Sequence, residues 1–377
     1  MTLATAAAYA LADTQPALDD ALGALRSARV LAVDTEADSR HRYPEKVCLV
    51  QLSDGGRAFL IDALAGLDYT GLGELLESRG VEKALHGADF DIRGLNRDFG
   101  FVIAPCYDTS IAARFAGLER TGLAALLEDV LGVAIPKDRR LQRADWSRRP
   151  LGQEALQYAA LDVVHLVALR DALHERLCAL GRDGWAAEEF ERLSAIRYAG
   201  PDPATAHLSV KGSHDLNPRE LAVLKALYEY REEEARRLDR PPGYVLPAEA
   251  MVHLAANPAV LLSEVPRLGP AAVRRYGRGI RRALRKGAQA PPYERPRSPN
   301  PPRQKSSPAQ AARLARVKRW RGELGAGLGL DPSLLWSMRS LERLARDPAS
   351  FDAELSAPDV RRWQVREFGE SLREALG

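Results

Sequence analysis

Residues 31–40 read LAVDTEADSR, and this stretch decides how the first half of the chain folds. Three apolar residues run directly into Asp34, and Glu36 follows two positions later. The apolar run predicts a buried strand, on which side chains two positions apart leave the same face. Carboxylates at the end of such a strand are costly unless something pairs with them. We therefore expect Asp34 and Glu36 to belong to a polar site.

Strand and helix signals alternate on both sides of this stretch, over about the first 195 residues. Further strands are predicted at 47–54 and 57–63, separated by the turn DGG, and a helix ends at Gly80. Strands first and alternating elements afterwards are typical of an α/β domain with a mixed sheet. More helices are predicted at about 121–131, 152–160 and 161–180.

The second half of the chain has helical patterns interrupted by segments rich in proline. The last helical segment contains three tryptophans, Trp320, Trp336 and Trp363, and is expected to have its own small core. The segment before it is rich in Pro, Ser and positive charge, which predicts an extended, solvated spacer. The predicted division is a first domain at 1–198, a helical domain at 211–290, a basic linker at 291–308 and a helical C-terminal domain at 309–377.

Composition places the chain among globular proteins and separates its charge by region. It has 377 residues, 46% hydrophobic, and a net charge of +3. Residues 1–207 carry 23 basic and 31 acidic side chains, whereas residues 208–320 carry 23 and 10. This asymmetry suggests chemistry in the first part and polyanion binding in the second. No apolar run is long enough for a membrane span, and three widely spaced cysteines fit a reducing cytoplasm.

Two more acidic positions in the first domain fit poorly with a purely structural interpretation. Asp91 is expected early in a helix, where the helix dipole favours a carboxylate. Asp162 follows Tyr158 by four residues, so both share one helix face. Converging carboxylates repel each other unless cations neutralise them, and oxygen ligands select magnesium or manganese. Taken singly, each acid is more often a cap, a surface charge or an ion-pair partner.

The order of these motifs carries a family resemblance. D-x-E, then H-x4-D, then Y-x3-D resembles the tyrosine-containing subclass of the DEDD 3′–5′ exonucleases. VDTEADSRHRYPEKVCLVQLSD (33–54) and RADWSRRPLGQEALQYAALDVVHL (143–166) are similar to ribonuclease D, and the resemblance extends over about residues 15–190. It implies an RNase H-like exonuclease domain with a mixed sheet, followed by one or two small all-helical HRDC-type domains. The C-terminal segment could be a second, degenerate domain of this type or equally a capping or docking element.

The resemblance also implies a reaction and its residues. RNA with a free, structured 3′ end, such as a tRNA precursor, would be trimmed from that end in the cytoplasm, releasing 5′-nucleoside monophosphates. Two divalent ions, Mg²⁺ or Mn²⁺, would be bound, with no organic cofactor and no membrane. The implied metal ligands are Asp34, Glu36, Asp91 and Asp162, and Tyr158 would orient the attacking water.

Several neighbouring polar residues receive structural interpretations. His86 is interpreted as a partly buried histidine with satisfied hydrogen bonds, and Asp89 as a residue outside the site. Asp38 is expected to be solvated or paired with Arg40 or Arg42. Gln51 and Thr35 are candidates for positions near the terminal nucleotide.

Basic residues supply candidate contacts to nucleic acid in two places. The segment 136–150 precedes the third motif and could lead a backbone to the metals, or could be a solvated loop; its basic residues are Lys137, Arg139, Arg140, Arg143, Arg148 and Arg149. Residues 211–290 resemble the HRDC domain, whose last helix carries arginines at steps of three and four. These are Arg274, Arg278, Arg281, Arg282 and Arg285, which could equally form a solvated face.

Two other functions fit the same sequence. A DNA-directed 3′–5′ exonuclease would use the same acids. An inactive nucleic-acid-binding scaffold would predict a broken acidic set, whereas the four acids and the tyrosine are all present.

Overall fold

A six-stranded sheet organises the first half of the chain. The structure is a computed structural model that describes residues 2–3, 6–136, 138–296 and 307–377. The strands are β1 (Thr2–Leu3), β2 (Tyr9–Ala12), β3 (Val30–Ala37), β4 (Val47–Ser53), β5 (Ala58–Asp62), β6 (Glu82–Leu85), β7 (Cys106–Asp108) and β8 (Val133–Ala134). The large sheet has the order β2-β5-β4-β3-β6-β7, and β1 pairs with β8 alone.

Strand directions in this sheet are mixed, as the sequence predicts. β4 is antiparallel to β3 and β5, whereas the other neighbours are parallel. Alternate residues of β3 enter two different apolar cores, with Ala32 on one face and Val33 on the other. The register between β3 and β4 shifts at Glu36/Ala37. The predicted α/β class is confirmed, with β3 near the middle of the sheet.

Eight helices cover the two faces of the sheet. Those predicted at about 121–131 and 152–160 are present as α5 and α6, and the pattern over 161–180 is divided between α6 and α7 at His165. In the described ranges, no helix combines the length and the apolar character needed to cross a membrane. The helices are α1 (Gln15–Leu25), α2 (Thr70–Glu77), α3 (Asp89–Phe99), α4 (Thr109–Phe115), α5 (Leu123–Leu131), α6 (Gln153–Val164), α7 (Leu166–Ala179) and α8 (Asp183–Ser194).

A helical unit with its own apolar core follows the sheet domain. Its first helix starts with a capping box, in which Asn217 and Glu220 satisfy each other's backbone N–H groups. Residues 291–296 have no regular structure, and the Tyr293 hydroxyl donates to the Ala204 carbonyl at 2.9 Å. The rest of the predicted spacer, 297–306, lies outside the described residues. The helices are α9 (Pro218–Leu238), α10 (Pro242–Val245), α11 (Ala248–Ala256) and α12 (Pro270–Gln289).

The C-terminal helices repeat the succession seen in this unit. A 21-residue helix that starts with a capping box and Pro is followed by a four-residue helix and a nine-residue helix in both units. Asn257-Pro258-Ala259 and Asp347-Pro348-Ala349 stand at corresponding places after the nine-residue helices. The helices are α13 (Pro308–Leu328), α14 (Pro332–Leu335), α15 (Met338–Arg346), α16 (Phe351–Glu354) and α17 (Arg362–Leu376).

The expectation of a separate C-terminal core is wrong. Trp336 and Trp363 belong to the same apolar cluster as the sheet domain. Trp363 stacks on Trp185 of α8 at 4.9 Å between ring centroids, and its edge meets Phe115 of α4 at 5.5 Å. The Trp363 ring thus packs against another domain, which helical periodicity alone does not reveal, whereas Trp320 and Trp336 contact each other within the segment at 6.2 Å between ring centroids.

Candidate active site

Three carboxylates meet where β3 ends and α6 crosses the sheet. Asp34 and Glu36 leave the same face of β3, and α6 packs across β3, β4 and β5 on that face. Asp162, near the C-terminal end of α6, faces them. One oxygen from each of the three carboxylates lies within 4.8 Å of the others. The structure therefore brings three of the four predicted acids into a single group.

Asp91 approaches from the opposite side of β3. It lies in the first turn of α3, as the sequence predicts, and is only 6% exposed. Thr35, which points to the other face from Asp34, donates a hydrogen bond of 2.5 Å from its hydroxyl to Asp91. Asp91 lies outside the group of three, but it is near enough for its charge to act on Asp34 and Glu36.

The turn that carries Asp91 is held by a residue that the sequence analysis missed. Asp108 is buried and accepts hydrogen bonds from the backbone N–H groups of Gly87 and Ala88, at 3.2 and 2.7 Å. The same side chain caps α4 through Ser110 and Ile111. An Asp followed by Thr-Ser at a helix start is an N-cap signature, so the capping role could have been found in the sequence. The hydrogen bonds of Asp108 to the turn before α3 could not have been predicted from the sequence.

A cavity of about 450 Å³ opens onto the carboxylates. Tyr158 and Asp162 line it from one face of α6, and Asp34 lines it from β3. The Trp146 ring lies 6.3 Å from the Tyr158 ring and is itself buried. The remaining lining residues are His86, Gly122, Leu123, Ala124, Ile135, Pro136, Gln142 and Leu166.

Burial and mutual repulsion favour protonated acids at this site. Burial, then the charges of Asp91, Asp162 and Glu36, raise the pKa of Asp34 well above its usual range. Burial also raises the pKa of Glu36 well above its usual range. Burial raises the pKa of Asp162 to about 7, although its interaction with Tyr158 acts in the opposite direction. The pKa of Asp91 is raised to about 7, again by burial.

This donor set fits divalent cations. The group offers oxygen ligands alone, the kind that magnesium and manganese prefer. Raised carboxylate pKa values show that the protein by itself does not neutralise the charge, which a bound cation would do. The exonuclease family that the sequence resembles depends on divalent metal ions, and the acidic group that would bind them is present here.

Two neighbouring residues take the structural places expected of them. His86 Nδ1 lies 2.9 Å from the Thr109 hydroxyl, and burial lowers the pKa of the imidazole. Asp89 forms an exposed ion pair of 2.9 Å with Arg93 on the first turns of α3.

The expectation for Asp38 is wrong. Its side chain is 4% exposed and accepts a hydrogen bond of 2.7 Å from the backbone N–H of Lys46. Asp38 therefore closes the loop between β3 and β4 and is neither solvated nor paired with an arginine. The register shift after Glu36 takes it out of simple strand alternation, which the sequence does not show.

Some basic side chains in the segment before α6 are exposed, whereas others are hydrogen-bonded within the protein. Arg143 is exposed, and exposed Arg148 pairs with Asp145 at 3.4 Å. Arg149 donates to Asp62 at 2.6 Å and to the Cys48 and Trp146 carbonyls. Its guanidinium is thus engaged within the protein, which argues against the predicted nucleic-acid contact. Lys137 lies outside the described residues.

The predicted arginine stripe on α12 is solvent-exposed. Among the described residues, none of its members has an acidic partner within 4 Å, whereas neighbouring Lys286 pairs with Glu229 at 2.7 Å. Unpaired guanidinium groups on one helix are available to a polyanion. The five exposed residues are Arg274, Arg278, Arg281, Arg282 and Arg285.

Comparison with known families assigns a class to two segments of the chain. Residues 9–178 match the family model of a 3′–5′ exonuclease, and residues 220–284 match the HRDC domain. The protein is therefore a 3′–5′ exonuclease that carries an HRDC domain.

Similarity to individual relatives identifies the family within this class. Ribonuclease D of Pseudomonas paraeruginosa is 32% identical over 357 residues, covering 93% of each chain. Ribonuclease D of Acidiphilium cryptum is 31% identical and covers 95% of this chain and 91% of its own. The chain belongs to the ribonuclease D family and is a 3′–5′ exoribonuclease.

Solved structures agree with this assignment. The crystal structure of Escherichia coli RNase D, described as an exoribonuclease involved in structured RNA processing, has a TM-score of 0.74, 25% identity and 98% coverage of both chains. The catalytic core of RRP6 from Trypanosoma brucei has a TM-score of 0.63 at 26% identity, covering 74% of this chain and 80% of that one.

Proposed function

We propose that this protein trims structured RNA, such as a tRNA precursor, from a free 3′ end and releases 5′-nucleoside monophosphates. The observation that carries the proposal is the group of Asp34, Glu36 and Asp162, whose oxygens lie within 4.8 Å beside a cavity of about 450 Å³. A pocket of this size is consistent with the terminal nucleotide. The substrate class is supported by the relative described as acting on structured RNA.

In the proposed mechanism, Asp34, Glu36 and Asp162 would hold two Mg²⁺ or Mn²⁺ ions together with Asp91. Bound there, the ions would supply charge neutralisation at the phosphodiester. Thr35 orients Asp91 through its hydroxyl. Because burial raises the pKa of Tyr158, its hydroxyl keeps its proton and can orient the attacking water by a hydrogen bond.

The helical half supplies the proposed RNA-binding surface. The α12 stripe would contact backbone phosphates, together with Arg143 and Arg148 near the cavity. The proposed domains are an exonuclease domain at 1–198, an HRDC domain at 211–290 and, after a linker at 291–308, a second HRDC-type domain at 309–377. The repeated helix succession supports the second HRDC-type domain. Cytoplasmic location completes the proposal and is supported by three free thiols.

One assay tests polarity, sugar preference and metal together. Purified wild-type protein and Asp91→Asn are incubated with 5′-labelled RNA or DNA, single-stranded or with a 3′ overhang, with Mg²⁺ or Mn²⁺. A ladder of labelled strands shortened from the 3′ end on RNA, and no ladder from Asp91→Asn, is the expected result. A stronger ladder on matched DNA would favour the DNA-directed alternative, and equal ladders from both proteins would remove Asp91 from the site.

A further inference from the structure

Gln51 is a buried polar residue that the proposed mechanism does not use. It lies in the middle of β4, its exposed fraction is 0%, and neither its amide oxygen nor its amide nitrogen has a hydrogen-bond partner in the described structure. Burying an amide without a partner costs about 1–3 kcal/mol. Unpaired buried groups are rare in native proteins, and each requires an explanation.

The sheet register places this amide beside the metal-site carboxylates. Gln51 stands directly opposite Asp34 in the antiparallel pair of β3 and β4, and directly opposite Leu60 on β5. Directly opposed residues project from the same face, with Cβ atoms about 4.5–5.5 Å apart. Of its two cross-strand neighbours, Asp34 is therefore the polar one, and it lies within reach of the glutamine side chain.

The chemistry of the pair is complementary. An ionised carboxylate accepts hydrogen bonds only, and the amide Nε2 offers two donors. A donor that holds the ionised carboxylate in one orientation strengthens a metal site.

We propose that Gln51 is a positioning residue for the exonuclease reaction: it lies opposite Asp34 on the same sheet face, and its amide donates a hydrogen bond to the Asp34 carboxylate when cations are bound. This inference rests on the proposed function of Asp34 as a metal ligand.

The test measures Mn²⁺ affinity by titration calorimetry and melting temperature with and without Mn²⁺. Gln51→Met keeps the length of the side chain and removes the amide, and Gln51→Leu is a second variant of the same kind. Tyr107→Phe is the matched control, because the Tyr107 hydroxyl is also buried without a partner but lies on β7. The Mn²⁺ affinity of Asp34→Asn tests whether Asp34 belongs to the metal site.

The expected result is that both Gln51 variants melt at or above the wild-type temperature without metal and bind Mn²⁺ about 10-fold more weakly. Tyr107→Phe should bind Mn²⁺ like wild type. Wild-type affinity in the Gln51 variants, with binding lost in Asp34→Asn, would overturn the role of Gln51 and leave the metal site standing. Failure of both variants to fold would also overturn it, since the amide would then be structural. Undiminished binding in Asp34→Asn would instead refute the proposed site.

Discussion

Arg42, in the loop between β3 and β4, forms an ion pair of 2.8 Å with Asp239, the residue that ends α9. Asp239 also accepts the backbone N–H of Tyr43 at 3.1 Å, and the Tyr43 hydroxyl donates to Glu232 within α9. The strand that carries Asp34 therefore continues directly into the loop on which the HRDC helices rest.

The two contacts of this loop should differ in strength. Tyr43→Phe removes a hydrogen bond to Glu232, which is 7% exposed, and should destabilise the protein by about 1–3 kcal/mol. Arg42→Ala should cost less than about 1 kcal/mol, because both partners of the ion pair are roughly half-exposed. Calorimetric melting of both variants measures the difference, and a larger loss for Arg42→Ala would contradict this ranking.

Asp34→Asn should abolish RNA hydrolysis, with a loss of at least about 10³-fold, because a metal ligand and several kcal/mol of charge stabilisation disappear. The metal-free variant should melt at or above the wild-type temperature, since one of the mutually repelling acids is gone. Asp89→Asn is the matched control, and its exposed ion pair makes near-wild-type activity the expectation. Near-wild-type activity of metal-replete Asp34→Asn would exclude Asp34 from the site.

Arg278→Glu combined with Arg282→Glu should weaken RNA binding and flatten its salt dependence. If each arginine contacts one phosphate of single-stranded RNA, the slope of log K against log salt should fall by about 1.4. The control reverses Arg79 and Arg176, which are exposed and lack an acidic partner among the described residues. Binding isotherms at several salt concentrations give the slopes, and equal slopes for both double variants would argue against the α12 stripe.

His207 should make the protein less stable in mild acid. Its side chain is 0% exposed, lies against the Tyr293 ring at 4.4 Å, and has a pKa lowered to about 4 by burial and by Lys225. The unfolded chain binds this proton near pH 6.5, so the unfolded state holds more protons between pH 6.5 and 4. His207 therefore lowers stability as pH drops through this range, by about 2 kcal/mol from pH 7 to 5, whereas the raised pKa values of Asp91 and Asp162 act in the opposite direction.

Chemical denaturation at pH 7 and pH 5 checks this sign. His207→Phe should remove this contribution, so that the change in stability from pH 7 to pH 5 is about 2 kcal/mol more favourable than in wild type, because the phenyl ring has no proton to bind. His214→Gln, at a position with a 79% exposed side chain, should leave the difference as it is in wild type. An unchanged pH dependence in His207→Phe would show that other groups cause it.

Trp363→Ala should destabilise the exonuclease domain as well as the C-terminal helices, because it opens the stack on Trp185. Loss of a fully buried tryptophan costs about 3–5 kcal/mol. Trp320→Ala, at a partly buried position within the C-terminal helices, should cost less. Calorimetry measures the melting temperature of both variants. An unchanged melting temperature of the exonuclease domain in Trp363→Ala would contradict the shared core.

The sequence predicts the α/β class and the positions of the acids well, because strand alternation and helix spacing set which side chains share a face. Asp34 and Glu36 leave one face of β3, and Asp162 meets them from α6, as those periods require. Asp91 shows the limit of this reasoning. Its place on the opposite side of β3, held by Thr35, depends on how α3 packs against the sheet.

Long-range partners explain the predictions that failed. Asp38 and Arg149 have the same local patterns as solvated residues, but their partners come from tertiary structure: the Lys46 backbone for one and Asp62 for the other. The C-terminal core is a similar case, since an amphipathic helix shows that it has an apolar face and not which domain covers it.

The shared stack of Trp185 and Trp363 has a genetic consequence. A premature stop codon after residue 296 would spare every catalytic side chain, yet it would leave Trp185 and Phe115 without their cover. Newly exposed apolar surface makes a protein prone to aggregation and to removal by cellular proteases. The last part of the reading frame is therefore expected to tolerate nonsense and frameshift mutations as poorly as the segments that encode the acids.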